Sequence, residues 1–159
     1  MHNAKVVLSF LVLGALAGCS SSSSPVTSSG DSGTSGGGSG TLKITSPSAG
    51  ATVTIAKGAT DVGFTTTNFT LMAPGSCAGA VNCGHIHVLI DSSACNDTAG
   101  GLPYNVAATA SPAQPNFDLC PTPTGAHTIT LELHNDDHSP YQVNGVTVSD
   151  QVAVTTTGT

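Results

Sequence analysis

The chain has 159 residues, a formal net charge of −6 and three basic residues, all of them lysines (Lys5, Lys43 and Lys57). Nucleic-acid binding needs clustered basic side chains to displace phosphate counterions, so that class of function is excluded. With no arginine anywhere in the sequence, fork-like guanidinium recognition of phosphate or carboxylate is excluded as well.

The first element in chain order is a targeting segment, residues 1–18. Lys5 supplies a short positive region, Val6 to Leu16 is apolar, and Leu16-Ala17-Gly18-Cys19 provides the small residues of a cleavage site. The apolar run is shorter than the roughly 20 residues that a membrane-spanning helix requires. Leu16-Ala17-Gly18-Cys19 resembles the lipobox of bacterial lipoproteins. That resemblance implies cleavage before Cys19, lipidation of Cys19 (a palmitate-type anchor) and attachment to the membrane of the cell envelope. Ser20, standing where inner-membrane retention uses aspartate, resembles the outer-membrane sorting pattern.

Residues 19–40 continue as a tether, nearly all Ser, Gly and Thr after the cysteine. Such a segment buries too little apolar surface to offset its ordering entropy. The remainder, 41–159, is the length of one domain with a single core. It holds Cys77, Cys83, Cys95 and Cys120. An even count in an exported chain points to disulfides, with three pairings open. Cys77–Cys83 and Cys95–Cys120 are favoured over a thiolate zinc site, because paired C-x-x-C spacings are missing.

Every periodic stretch of this domain has period two, which predicts strands and an all-β sandwich. Leu42-Lys43-Ile44-Thr45 and Thr52-Val53-Thr54-Ile55 alternate around a Pro/Gly turn, and Val62 and Phe64 continue the pattern. In His85–Asp91, Ile86, Val88 and Ile90 share one face, leaving His85 and His87 opposite. In Ala126–His134, Ile129, Leu131 and Leu133 share a face, leaving Glu132 and His134 opposite. Ser92 to Leu119 is loop-rich, with one short strand expected near Asn116–Leu119, and Val146–Thr155 forms a closing strand.

Ile44-Thr45-Ser46-Pro47-Ser48-Ala49-Gly50, Gly125-Ala126-His127-Thr128-Ile129 and Val148-Ser149-Asp150-Gln151-Val152 resemble bacterial immunoglobulin-like and fibronectin-type modules. The resemblance implies a single immunoglobulin-like antiparallel β-sandwich and identifies no activity. It also implies that the two strongest strands are antiparallel neighbours. His85 and His87 then lie beside Glu132 and His134 on the outer face, with His138 in the loop at the same end. Alternate residues of a strand point the same way, about 6.6–6.8 Å apart, so their imidazoles can converge on copper or zinc. The expected metal-ligand set is therefore His85, His87 and His134, with His138 or Glu132. His127 shares a face with Ile129 and Leu131 and is expected to be structural. Asp91, Asp136 and Asp137 match no calcium-wrapping loop.

Gly84-His85-Ile86-His87 is also similar to the copper-ligand strand of copper/zinc superoxide dismutase. That enzyme guides superoxide with an arginine, which this chain lacks, so the similarity implies copper-binding chemistry and not dismutation. No catalytic set is evident around the single glutamate or the turn serines. The sequence thus leads to a non-enzymatic envelope lipoprotein carrying an immunoglobulin-like binding module, its ligand unidentified. The alternative is a copper- or zinc-binding envelope protein using the histidine cluster. A small copper-dependent oxidase is a third reading, supported by the imidazoles alone.

Overall fold

Threonine, valine and isoleucine alternating with polar residues form strands because the branched side chains fit a pleated surface buried on one side. A computed structural model of the protein describes residues 39–158. The expected signal segment, Cys19 and almost all of the tether lie outside the described residues.

The strands are β1 (Thr41–Ser46), β2 (Ala51–Thr54), β3 (Gly63–Thr67), β4 (Thr70–Leu71), β5 (Cys83–Ile90), β6 (Val106–Ala108), β7 (Gly125–Asn135), β8 (Gln142–Val143), β9 (Val146–Thr147) and β10 (Ser149–Thr157). One sheet pairs β1 with β3. The larger one runs β2-β10-β7-β5-β4, with β6 also paired to β5. The apolar faces of the two sheets meet: Leu42, Ile44 and Phe64 from the small sheet join Ile86, Val88, Ile129 and Leu131 from the large one in a single buried cluster. The molecule is all-β, in two layers, as its alternation predicts.

Three sequence expectations need adjustment. β2 pairs β10 in parallel and β4 pairs β5 in parallel, so the sheet is mixed and not wholly antiparallel. The cause at β2 is the Pro47–Gly50 turn. It carries the chain from the small sheet to the edge of the large one, where it enters alongside β10 in the same direction. Asn116–Leu119 is not a strand but a 3-10 turn over Phe117–Leu119. The Asn116 side chain accepts a hydrogen bond from the Asp118 N–H (3.0 Å), a capping contact that competes with extended pairing. The loop-rich region instead places its strand at β6. The closing strand is divided into β9 and β10, because Asn144-Gly145 (φ 55° and 77°) folds β8 and β9 into a tight hairpin.

Both favoured disulfides are present, Cys77–Cys83 and Cys95–Cys120. The first closes the loop that leads into β5. The second ties the start of the long connection between β5 and β7 to its end.

Candidate metal centre

Three contiguous pieces of chain build the site. β5 and β7 pair antiparallel, with His85 opposite His134 and His87 opposite Glu132. The alternation that sends Ile86, Val88 and Ile90 into the core therefore sends His85, His87 and Leu89 to the other face. This is the register inferred from the sequence. The exposure is not. That face is covered, and His85, His87 and His134 are all buried, His85 completely.

Two segments supply the cover. Tyr104 lies on His87, ring centroids 3.8 Å apart. Its neighbour Asn105 fixes it: the Asn105 N–H donates to Val88 O (2.8 Å) and its side-chain oxygen accepts from Asn116 N (2.7 Å). The second cover is the turn after β7. Asn135 N donates to Ser139 O (2.8 Å) and His138 N to Asn135 O (3.1 Å). The Ser139 N–H and hydroxyl donate to Asp137 Oδ1, holding the Asp137 carboxyl below its usual range. His138 sits in this turn at φ 66°, a left-handed conformation unfavourable for a residue with a Cβ. Strain of this kind costs about 1–3 kcal/mol and persists where surrounding contacts enforce it. Here it turns the His138 ring back over the sheet.

The result is a triangle of ring nitrogens. His85 Nε2 is 3.0 Å from His87 Nε2 and 3.2 Å from His138 Nδ1, and His87 Nε2 is 3.2 Å from His138 Nδ1. Hydrogen bonding cannot satisfy such a triangle. Each contact needs one N–H and one lone pair, and three nitrogens cannot alternate around a ring of three. Burial, then the neighbouring His138 and His134, push His85 down to about 4, although Asp136 opposes the shift. Burial, then His134, His85 and His138, push His87 down to about 3. Both imidazoles are therefore neutral at pH 7. A point about 2.0–2.1 Å from all three nitrogens, the usual zinc–imidazole distance, lies about 1 Å off their plane.

Of the expected ligand set, His85, His87 and His138 come together, and among the described residues no fourth His, Cys, Asp or Glu joins them. His134 and Glu132 do not. The His134 ring stacks on His87, centroids 3.6 Å apart. Its Nδ1–H donates to His138 O (2.8 Å), and its Nε2 stands 3.4 Å from Glu132 Oε2. Its nitrogens thus face the turn and the carboxylate, because the ring lies flat against its neighbour instead of pointing at it.

His127 is structural, as expected. It is buried at the opposite end of β7, its Nδ1 2.7 Å from Asp91 Oδ2 and its ring edge-on to Phe117. The aspartates are dispersed: Asp91 also accepts from Thr128 N, and Asp136 Oδ1 accepts from Cys77 N. Sequence reasoning missed Tyr104. The usable signal was an aromatic in a chain with only two tyrosines and no tryptophan, placed beside an asparagine in a loop long enough to fold back over the sheet. In comparisons with known proteins, the chain matches no family model and no curated protein.

Proposed function

We propose that this protein is a lipid-anchored envelope protein whose immunoglobulin-like domain holds one copper or zinc ion on His85, His87 and His138. The observation that carries the reading is the mutual approach of three imidazole nitrogens to 3.0–3.2 Å, two of them on the buried, neutral His85 and His87 and the third on the exposed His138. Imidazole nitrogen is a preferred donor for both metals, and an ion removes the repulsion of three converging lone pairs. His134 and Glu132 act behind the ligands: His134 holds the carbonyl of His138, and Glu132 flanks His134. Contacts of this kind orient ligands and tune their basicity.

Storage or delivery of metal at the envelope fits the chain better than turnover, since among the described residues no nucleophile–base pair accompanies the imidazoles. The lipobox and the Ser/Gly tether support placement at a membrane surface. The test is thermal melting of the mature domain with copper(II) or zinc. A 100-fold excess over Kd adds about 2.7 kcal/mol, a shift on the order of 10 °C for a domain of this size. His87→Ala is expected to abolish the shift. A wild-type domain that melts at the same temperature with and without either metal would end this reading.

A further inference from the structure

Three protein donors leave a divalent copper or zinc ion one position short of its usual four, and among the described residues no fourth His, Cys, Asp or Glu joins them. Beside the cluster lies a cavity of about 370 Å³. His87 and His138 form part of its wall, and Leu89, Leu102, Pro103 and Tyr104 form most of the rest. Each has a structural reason to be there. Leu89 follows His87 by two residues on β5 and so shares its face. Leu102 is held by its N–H donating to Asp97 O (2.9 Å), and Tyr104 O accepts from Asp97 N (2.9 Å). The Cys95–Cys120 bridge fixes the loop that carries them.

We propose that this cavity is a ligand site opening on the metal's fourth position. Its ligand would be a small molecule with one uncharged nitrogen donor, such as an azole, attached to a compact apolar group. The inference rests on the metal-binding reading above.

The chemistry of the walls selects this class. The aliphatic and aromatic lining favours an apolar body and disfavours a charge. Anionic donors are further disfavoured because Glu132 already borders the cavity, and Asp136 lies close enough to His85 to act on it electrostatically. Two carboxylates offset the charge of a divalent ion held by three neutral imidazoles, so the site does not call for an anionic ligand. A neutral azole supplies the fourth nitrogen without adding charge.

The experiment uses the mature domain and measures copper(II) affinity first, so that failure of metal binding is seen as such and overturns both readings. The copper-loaded domain is then titrated with imidazole, 4-phenylimidazole and benzoate, followed by visible absorption and electron paramagnetic resonance. Both azoles are expected to perturb the copper spectrum, 4-phenylimidazole at a concentration at least tenfold lower than imidazole, and benzoate least effectively. Leu102→Trp, which fills the cavity, and Leu102→Ala, which removes an apolar wall, are each expected to erase the advantage of the phenyl group while leaving copper affinity unchanged. Spectra that ignore both azoles would overturn the ligand site and leave the metal site standing. Equal potency of the two azoles, or an advantage that survives both Leu102 variants, would overturn it too.

Discussion

His134 stands directly across the β5–β7 ladder from His85, yet its ring stacks on His87 and its Nδ1–H is given to the carbonyl of His138. One imidazole thereby braces the other two strand-and-turn ligands without joining them. His134→Ala is expected to weaken copper or zinc binding 10- to 100-fold, the usual consequence of losing a contact behind a metal ligand. His138→Ala, by contrast, removes a donor and is expected to abolish tight binding. Calorimetric titration of the two variants checks the order. Equal loss in both would mean that His134 is itself a ligand.

The strained turn gives a second expectation. Glycine tolerates the φ of 66° at position 138 without a Cβ penalty. His138→Gly is therefore predicted to leave the metal-free melting temperature unchanged or higher while eliminating the rise produced by metal. Strain at a ligand position is relieved and function is lost together. A metal-free melting temperature several degrees lower would show that the His138 side chain serves stability.

Acid should destabilise the metal-free domain through His85 and His87. Unfolded, each binds a proton near pH 6.5; folded, they do so only near 4 and 3. Between these values the unfolded state holds more protons, so stability falls as pH drops from about 6.5 towards about 3 and is flat above pH 7. The loss is on the order of several kcal/mol. Urea unfolding of chelator-treated protein at pH 7.5, 5.5 and 4.5 measures it. The slope is expected to flatten in His87→Leu, and an identical slope in that variant would contradict the assignment.

The two disulfides should differ in weight. Cys95–Cys120 spans 25 residues and Cys77–Cys83 spans 6, which in the chain-entropy account correspond to about 3.5 and about 2 kcal/mol. The longer bridge also holds the loop that covers His87. Cys95→Ser/Cys120→Ser is thus predicted to lower both stability and metal affinity more than Cys77→Ser/Cys83→Ser does. Melting curves and metal titrations of the two double variants test the ranking.

Gly84 is required by close approach. A Cβ added there would run into the carbonyl oxygen of His134 on β7. Gly84→Ala is expected to cost about 1–3 kcal/mol, as overpacking does, and to reduce metal affinity, because it forces the strands apart one residue from His85. An unchanged melting temperature would show that the ladder yields at no cost.

Much of this was legible in the sequence because period-two alternation is a direct record of which face is buried. The alternation of Ile86, Val88 and Ile90 against Ile129, Leu131 and Leu133 specified two strands, their inner faces and the side on which the histidines lie. Register followed from the expected pairing, since a slip of one residue would have buried the opposite set. What alternation does not encode is rotamer and loop path. Nothing local to His134 says that its ring lies flat on His87, nor that Tyr104 returns over the sheet. Those positions depend on long-range contacts, Asn105 to Val88 and Asn116 above all. His138 was placed at the correct end by its distance from β7. Its entry into the triangle depends on a left-handed backbone that histidine seldom adopts.

The most direct test is the metal content of the mature domain, purified without a histidine tag from an oxidising compartment and measured by elemental analysis beside a His85→Ala/His87→Ala/His138→Ala variant. The predicted result is close to one equivalent of copper or zinc per chain in the wild type and background levels in the variant. A wild-type domain that stays metal-free after exposure to both ions, or a triple variant that retains a full equivalent, would contradict the account.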